Sequence, residues 1–131
     1  MQPVEKRLYT YFEDLATIER LERETENILS VHGQSLQAGR TGGVNSPVEQ
    51  RFNLVQPLQN KIAKIKREIE PVTILIRDLP DTLRDLFYLH YYRKNSWNKI
   101  AKLRNISRMT LWRHKRKLLK LAQKYLGDLP D

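Results

Sequence analysis

The sequence predicts an all-α protein, in which a long N-terminal helical hairpin or arm (residues 1–80) precedes a helix-turn-helix domain (residues 81–131). Two long stretches carry apolar residues at steps of three and four, the spacing of one face of an α-helix. A glycine-rich segment separates these stretches. Residues 81–131 hold 13 basic and 4 acidic residues, whereas residues 1–80 hold 11 of each, so the C-terminal part carries the whole net charge of +9.

The composition excludes several classes of protein. The 131 residues include no cysteine, which excludes disulfides and thiolate chemistry. No apolar run approaches the roughly 20 residues that span a membrane, and the N-terminus has no apolar signal core. We therefore expect a cytoplasmic protein whose basic domain binds nucleic acid. The alternative is a basic surface that has no ligand.

Residues 3–30 are predicted to form one amphipathic helix, with Pro3 in its first turn. Its apolar face comprises Val4, Leu8, Tyr11, Phe12, Leu15, Ile18, Leu21, Ile28 and Leu29. Its acidic face comprises Glu13, Asp14, Glu19, Glu22, Glu24 and Glu26. Because an isolated helix of this kind is marginal in water, the apolar face must pack on the chain's own second helix or on another subunit in a homodimer. Glu22 and Thr25 interrupt the heptad pattern, which favours packing within the chain.

Residues 31–46 contain four of the five glycines, together with Ser, Gln, Thr and Asn, and are predicted to form a flexible linker. The pair Gly42-Gly43 does not form a phosphate-binding loop, because no Lys-Ser or Lys-Thr follows at the required spacing. The end of this segment predicts a helix start. Ser46 is a suitable N-cap, Pro47 suits the first helical position and Glu49 completes a capping box.

The second long helix continues the apolar spacing at Val48, Phe52, Val55, Leu58, Ile62, Ile65 and Ile69, and the run ends at Leu79-Pro80. Pro57 and Pro71 are each expected to kink or restart this helix, because proline lacks an amide hydrogen and clashes with the preceding turn. The outer face of this helix is basic and comprises Lys61, Lys64, Lys66 and Arg67. Pairing of this face with the acidic face of the first helix would set the register of an antiparallel hairpin, although each surface pair adds little stability.

A third helix is predicted over residues 82–92, with Asp81 as its N-cap. Its buried face comprises Leu83, Leu86, Phe87 and His90. We interpret His90 as a hydrogen-bonded histidine at the edge of the core rather than as a metal ligand. The three histidines, His32, His90 and His114, have no ligand spacing among them, so neither a metal site nor a cofactor is expected.

Residues 96–113 have the spacing of a helix-turn-helix, a motif whose second helix enters the DNA major groove. Ser96 and Ser107 are the predicted N-caps of its two helices, and Asn105 suits the left-handed backbone of the turn. The residues expected to face the core from the first helix and the turn are Ile100, Ala101, Leu103 and Ile106. The expected buried stripe of the second helix comprises Leu111, Leu118, Leu121, Ala122 and Tyr125, and Gly127 ends this helix.

The outward positions of this motif predict how DNA would be read. The residues predicted to contact base edges are Ser107, Arg108, Met109, Trp112, Arg113 and Arg116. Arginine suits guanine edges, and Met109 suits a thymine methyl group. The residues predicted to contact phosphates are Lys99, Lys102, Arg104, Lys117, Lys120 and Lys124. Trp97 is expected in the core, whereas for Trp112 a core position and an exposed position remain equal alternatives.

Several short motifs, taken together, resemble region four of bacterial sigma factors. They are Leu89-His90-Tyr91, Ser96-Trp97, Ile100-Ala101, Ser107-Arg108, Thr110-Leu111 and Leu118. With its long N-terminal helices and glycine-rich loop, the chain more closely resembles the ArpU/RinA-like regulators of phages of Gram-positive bacteria. The resemblance implies control of phage late genes in a bacterial host cell, by a domain that reads a promoter and contacts RNA polymerase. The chain departs from the pattern at Arg104 and Asn105, where an apolar residue and a glycine are usual.

Three functions are compatible with these observations. The first is a sequence-specific transcriptional regulator, an activator, of a phage or prophage operon. The second is a structural DNA-handling protein such as the small subunit of a phage packaging terminase, and the third is a module that binds RNA polymerase itself. An enzyme is not expected, because Ser107 has no base beside it and no acidic cluster of nuclease type accompanies the basic domain.

Overall fold

The computed structural model describes residues 3–35 and 47–127, and these residues form helices joined by short turns. Two long helices, α1 (Pro3–Ser35) and α2 (Pro47–Asp78), pack as a hairpin. They are followed in order by α3 (Asp81–Phe87), a π-helical turn (Tyr88–Tyr92), α4 (Trp97–Arg104) and α5 (Arg108–Leu126). The predicted all-α class and the helical hairpin are confirmed.

The described residues group into two compact units. The first unit contains residues 3–13 and 69–127, and the second contains residues 14–35 and 47–68. In the first unit, the hydroxyls of Tyr11 in α1 and Thr73 in α2 share a hydrogen bond of 2.9 Å. In the second unit, Lys66 of α2 lies 3.9 Å from Glu22 of α1. This ion pair confirms one of the expected contacts between the basic and acidic faces, but both side chains are about half exposed, so it adds little stability.

Helix α1 is longer than predicted and ends at Ser35, so residues 31–35 are helical rather than part of a linker. Residues 36–46, including the predicted N-cap Ser46, lie outside the described residues. Thr25 continues the buried stripe instead of interrupting it, because its hydroxyl donates a hydrogen bond of 2.9 Å to the carbonyl of Leu21 one turn earlier. At the end of the predicted apolar face, Leu29 is exposed.

Helix α2 runs without interruption from Pro47 to Asp78, so neither Pro57 nor Pro71 restarts the helix, and the alternative of a kink at each proline stays a prediction. Each proline removes a backbone hydrogen bond, at a cost of about 3 kcal/mol. Buried side chains flank both prolines, namely Val55 and Ile62 around Pro57, and Ile69 and Val72 around Pro71. The burial of these side chains holds the helix together across each ring. At the start of α2, Val48 and Phe52 are exposed, so the prediction that both belong to a packed apolar face is wrong.

Asp81 is the first residue of α3 rather than its N-cap, a correction of the prediction. The capping position is Pro80, whose carbonyl accepts the amide of Arg84 at 2.9 Å. The Asp81 carboxylate instead pairs with the Arg84 guanidinium at 3.0 Å. The same guanidinium donates to the carbonyls of Ile76, Arg77 and Leu79, at 3.1, 2.9 and 2.9 Å. Arg84 therefore supplies hydrogen-bond donors to carbonyls at the end of α2, where the last carbonyls of a helix have no partner within the helix.

The helix predicted over residues 82–92 is present, but its second half widens into the π-helical turn. The amide of Arg93 donates to the carbonyl of Tyr88 at 2.9 Å, a spacing of five residues. This turn carries two buried side chains, His90 and Tyr91. Tyr91 packs against Phe87 with ring centroids 5.1 Å apart, and both side chains are fully buried in the core of the first unit.

Candidate nucleic-acid interface

The side chain of Ser96 starts α4 as predicted, since its hydroxyl accepts the amide of Lys99 at 3.2 Å. Ile100 and Ala101 are buried, which confirms their expected core positions. Leu103 is 58% exposed, so its predicted inward orientation is wrong. The side of α4 that packs on the protein runs through Trp97, Ile100, Ala101 and Arg104, at steps of three and four, and Leu103 lies off this side.

The turn between α4 and α5 is held by its backbone. Asn105 has φ 54° and ψ 48°, the left-handed conformation predicted for it. The amide of Ile106 then donates to the carbonyl of Ala101 at 3.0 Å, and the Ile106 side chain is half-buried. Ser107 caps α5 as predicted, because its hydroxyl accepts the amide of Thr110 at 3.1 Å. A short turn with these contacts fixes the first residues of α5 relative to α4.

Helix α5 buries one stripe and exposes the opposite one. Leu111, Leu118 and Ala122 are buried as predicted, while Leu121 and Tyr125 are only half-buried. Leu126 is buried although it was not predicted to be. Gly127 ends the helix as expected, with its amide donating to the carbonyl of Gln123 at 2.7 Å.

The predicted base-contacting residues lie together at the start and on the exposed side of α5. These exposed residues are Ser107, Arg108, Met109, Trp112, Arg113 and Arg116. Trp112 is 53% exposed and Met109 58%, which resolves the alternatives for Trp112 in favour of the exposed position. The guanidinium of Arg116 lies over the Trp112 ring, 5.3 Å from its centroid. Two shallow grooves along this side of the helix share Trp112, Arg116 and Lys120 in their walls.

The residues predicted to contact phosphates fall into two groups. The exposed lysines are Lys99 and Lys102 on α4, and Lys117, Lys120 and Lys124 on α5. Arg104 differs from them, because its guanidinium pairs with the carboxylate of Asp85 in α3 at 3.0 Å. This pair holds Arg104 within the protein, and a phosphate would have to compete with Asp85 for it. Lys102 and Arg108 line an open concavity between the two helices, beside the turn.

His90 is hydrogen-bonded at the edge of the core, as the sequence predicts. Its Nδ1 donates to the carbonyl of Asn95 at 2.8 Å, and the neutral ring therefore accepts the Tyr9 hydroxyl at Nε2. Burial lowers the pKa of His90, although the bond to Asn95 acts in the opposite direction. On the other side of His90, the half-buried indole of Trp97 stacks on the imidazole, and the ammonium of Lys115 lies 4.9 Å from the centroid of the indole.

The contact between Tyr125 and Asp78 was not predicted. The Tyr125 hydroxyl donates to the Asp78 carboxylate at 2.9 Å and so connects the end of α5 to the end of α2. This bond, together with that from Arg77, lowers the pKa of Asp78. Neither residue carries a sequence signal for the contact, because the partners are 47 positions apart and lie on separate predicted elements.

No family model, curated protein or solved structure matches this chain. Among residues 3–35 and 47–127, no helix is long and apolar enough to cross a membrane.

Proposed function

We propose that this protein is a sequence-specific DNA-binding transcriptional regulator of a phage or prophage operon, an activator of late genes that acts with host RNA polymerase. The observation that carries the proposal is the exposed face of α5. It combines arginines suited to base edges, Arg108, Arg113 and Arg116, with lysines further along the same helix.

The charge around α5 supports binding to a polyanion. Residues 86–127 contain no acidic residue, so no carboxylate of this segment neutralises the exposed cations. Among the described residues, Asp85, Asp78 and Glu5 contact this segment from outside it. Asp85 pairs with Arg104, and Asp78 and Glu5 accept hydrogen bonds from the hydroxyls of Tyr125 and Tyr91, so these partners are not the exposed cations of α5. The cations on the outward side of α5 therefore remain available for phosphates.

The geometry of α4 and α5 is compatible with a helix-turn-helix. Both helices start at a serine cap, and a turn of three residues with a left-handed Asn105 joins them. In a helix-turn-helix, the N-terminal residues of the second helix contact base edges. The resemblance to sigma region four and to the ArpU/RinA-like regulators supports the same assignment and adds RNA polymerase as a second partner.

The test is DNA binding measured by fluorescence anisotropy. We would compare duplexes from the promoters that neighbour the gene with scrambled duplexes of the same composition, in a series of salt concentrations. A regulator prefers one promoter, and the preference persists as salt rises. Equal affinities that fall steeply with salt would mean phosphate contacts alone and would overturn the proposal.

A second candidate is a structural DNA-handling protein, such as the small subunit of a packaging terminase. The observation that favours it is the exposed apolar surface at the start of α2, where Val48, Phe52 and Leu54 are each at least half exposed. Apolar surface of this kind suits assembly with further subunits. Native mass measurement separates the candidates: a ring of many subunits favours packaging, whereas a monomer or a homodimer through the N-terminal helices favours regulation.

A protein-interaction module would give a different result. Binding to purified polymerase without DNA, and without a promoter footprint, would favour such a module.

A further inference from the structure

We infer that Trp112 and Arg116 act as one reading unit that selects a thymine beside a guanine in the DNA site. The inference rests on the proposed function and specifies the chemistry of its ligand. It assigns the exposed indole of Trp112 to the thymine methyl group and the guanidinium of Arg116 to the guanine edge.

Trp112 lies on the exposed surface of α5. Its indole is 53% exposed, whereas the buried stripe of the same helix comprises Leu111, Leu118 and Ala122, so the ring is not required by the core. Met109 is 58% exposed and lies three positions earlier, which places the two side chains next to each other on the helix surface. Together they form an apolar surface beside the exposed Arg113 and Arg116.

Trp112 and Arg116 contact each other on the surface of α5. The guanidinium carbon lies 5.3 Å from the centre of the indole, within the range of a cation–π interaction. The two residues are four positions apart on α5, so the helix itself maintains this contact. A guanidinium held over a ring has fewer orientations to lose when it forms two hydrogen bonds to a guanine edge.

The major groove presents base edges that suit both side chains. Guanine presents two acceptors there, N7 and O6, which match the paired donors of arginine. Thymine presents the C5-methyl group, the apolar feature among the four bases. An apolar ring in contact with a guanine-reading arginine therefore favours a site in which a thymine lies next to that guanine.

The experiment begins with selection of preferred duplexes from a random library by the full-length protein. In the selected duplex, each thymine is replaced in turn by deoxyuridine, which removes only the methyl group, and each guanine by 7-deazaguanine, which removes the N7 acceptor. We expect one deoxyuridine to weaken binding about fourfold, the factor for one methyl group that loses its apolar contact. We expect the 7-deazaguanine that weakens binding most to lie next to the thymine whose methyl group is required.

Two variants assign these effects to residues. Trp112→Ala should abolish the deoxyuridine penalty, and Arg116→Ala should abolish the 7-deazaguanine penalty, because alanine has no donor for the N7 acceptor. The matched control is Tyr92→Ala, which removes another half-exposed aromatic side chain, located in the π-helical turn, and should retain both penalties. Circular dichroism and the melting temperature establish that each variant is folded.

The outcomes separate this inference from the proposed function. Selection without any sequence preference would overturn both. A clear preference that shows no deoxyuridine penalty, or the same penalty in Trp112→Ala as in the wild type, would overturn the reading unit and leave sequence-specific binding in place.

Discussion

The imidazole of His90 lies flat on the indole of Trp97, with ring centroids 3.7 Å apart and ring planes 19° apart. Tyr9 of α1 holds the imidazole by a hydrogen bond, and the ammonium of Lys115 in α5 lies over the indole. The stacked pair thus connects α1, the π-helical turn, α4 and α5 within the first compact unit. Lys115 lies on the same helix as the predicted base-contacting residues, so this cluster positions α5 from its buried side.

Replacement of Trp97 by alanine should destabilise the fold. The variant loses the stack on His90 and the edge contact with Tyr91, so we expect the free energy of unfolding to fall by about 2–3 kcal/mol. The free energy of unfolding is measured by denaturant titration, with far-ultraviolet circular dichroism as the signal. Trp112→Ala is the matched control and should change the same quantity by no more than about 0.5 kcal/mol, because Trp112 is exposed. Equal losses in the two variants would contradict the assignment of Trp97 to the packed cluster.

The pH dependence of stability should contain a contribution from His90. Burial lowers its pKa below the ordinary value of 6.5, and the charges of Lys115 and Lys94 act in the same direction, while the Asn95 carbonyl and Glu5 oppose it. The unfolded chain therefore takes up a proton at a higher pH than the folded chain does. The stabilisation that depends on neutral His90 is complete above pH 6.5 and decreases as the pH falls from there towards the lower pKa of the folded state.

The direction of this pH dependence can be checked with the variant His90→Gln, because the glutamine side chain does not titrate. We would measure the free energy of unfolding of wild type and variant at a series of values from about pH 7.5 to about pH 5.5. The advantage of the wild type over His90→Gln should shrink as the pH falls. The other two histidines are present in both proteins, so their titration cancels in the difference. A constant or growing advantage would show that the pKa of His90 is not lowered by folding.

The features predicted correctly from sequence are those encoded by neighbouring residues. Ser96, Asn105 and Ser107 act through the backbone within a few positions of themselves, so their residue types suffice to predict two caps and a turn. The apolar spacing likewise predicted the buried side of α5, because helical periodicity determines which residues share a face.

The features that the sequence did not predict depend on partners distant in the chain. The carbonyls that Arg84 caps belong to another helix, and the partner of Tyr125 lies 47 positions earlier. The exposure of Leu103 follows from which side of α4 packs on its neighbours, and the continuity of α2 through Pro57 follows from burial on both sides of the ring. In each case tertiary packing overrides a local preference. For the same reason, the sequence could not decide whether Trp112 is buried or exposed.

The turn at Asn105 provides a test of its backbone conformation. With φ 54° and ψ 48°, the residue is in the left-handed region that β-branched side chains avoid, so Asn105→Val should lower the free energy of unfolding by about 1–2 kcal/mol. Asn105→Gly should change it by less than about 0.5 kcal/mol, because glycine adopts this conformation readily. The side chain is exposed, so packing does not obscure the comparison. Equal stabilities of the valine and glycine variants, measured by denaturant titration, would argue against a left-handed turn.

Arg113 and Lys120 are both exposed on α5, yet we expect their removal to have different effects on DNA binding. Arg113→Ala removes a predicted contact to a guanine edge and should weaken binding to the preferred duplex by roughly 1–3 kcal/mol, with a smaller loss on scrambled DNA. Lys120→Ala removes a predicted phosphate contact and should weaken both about equally while reducing the salt dependence.

Anisotropy titrations on the preferred and scrambled duplexes measure the two losses side by side. The control is Lys61→Ala, which removes an exposed lysine of α2 and has the same change in charge as Lys120→Ala. It should leave both affinities close to those of the wild type, because Lys61 is not on α5. If Arg113→Ala, like Lys120→Ala, lowers the affinity for the preferred duplex and for the scrambled duplex by the same factor, Arg113 contacts phosphate rather than a base. The sequence preference would then have to come from other exposed residues of α5, for which Arg108, Met109, Trp112 and Arg116 are the remaining predicted candidates.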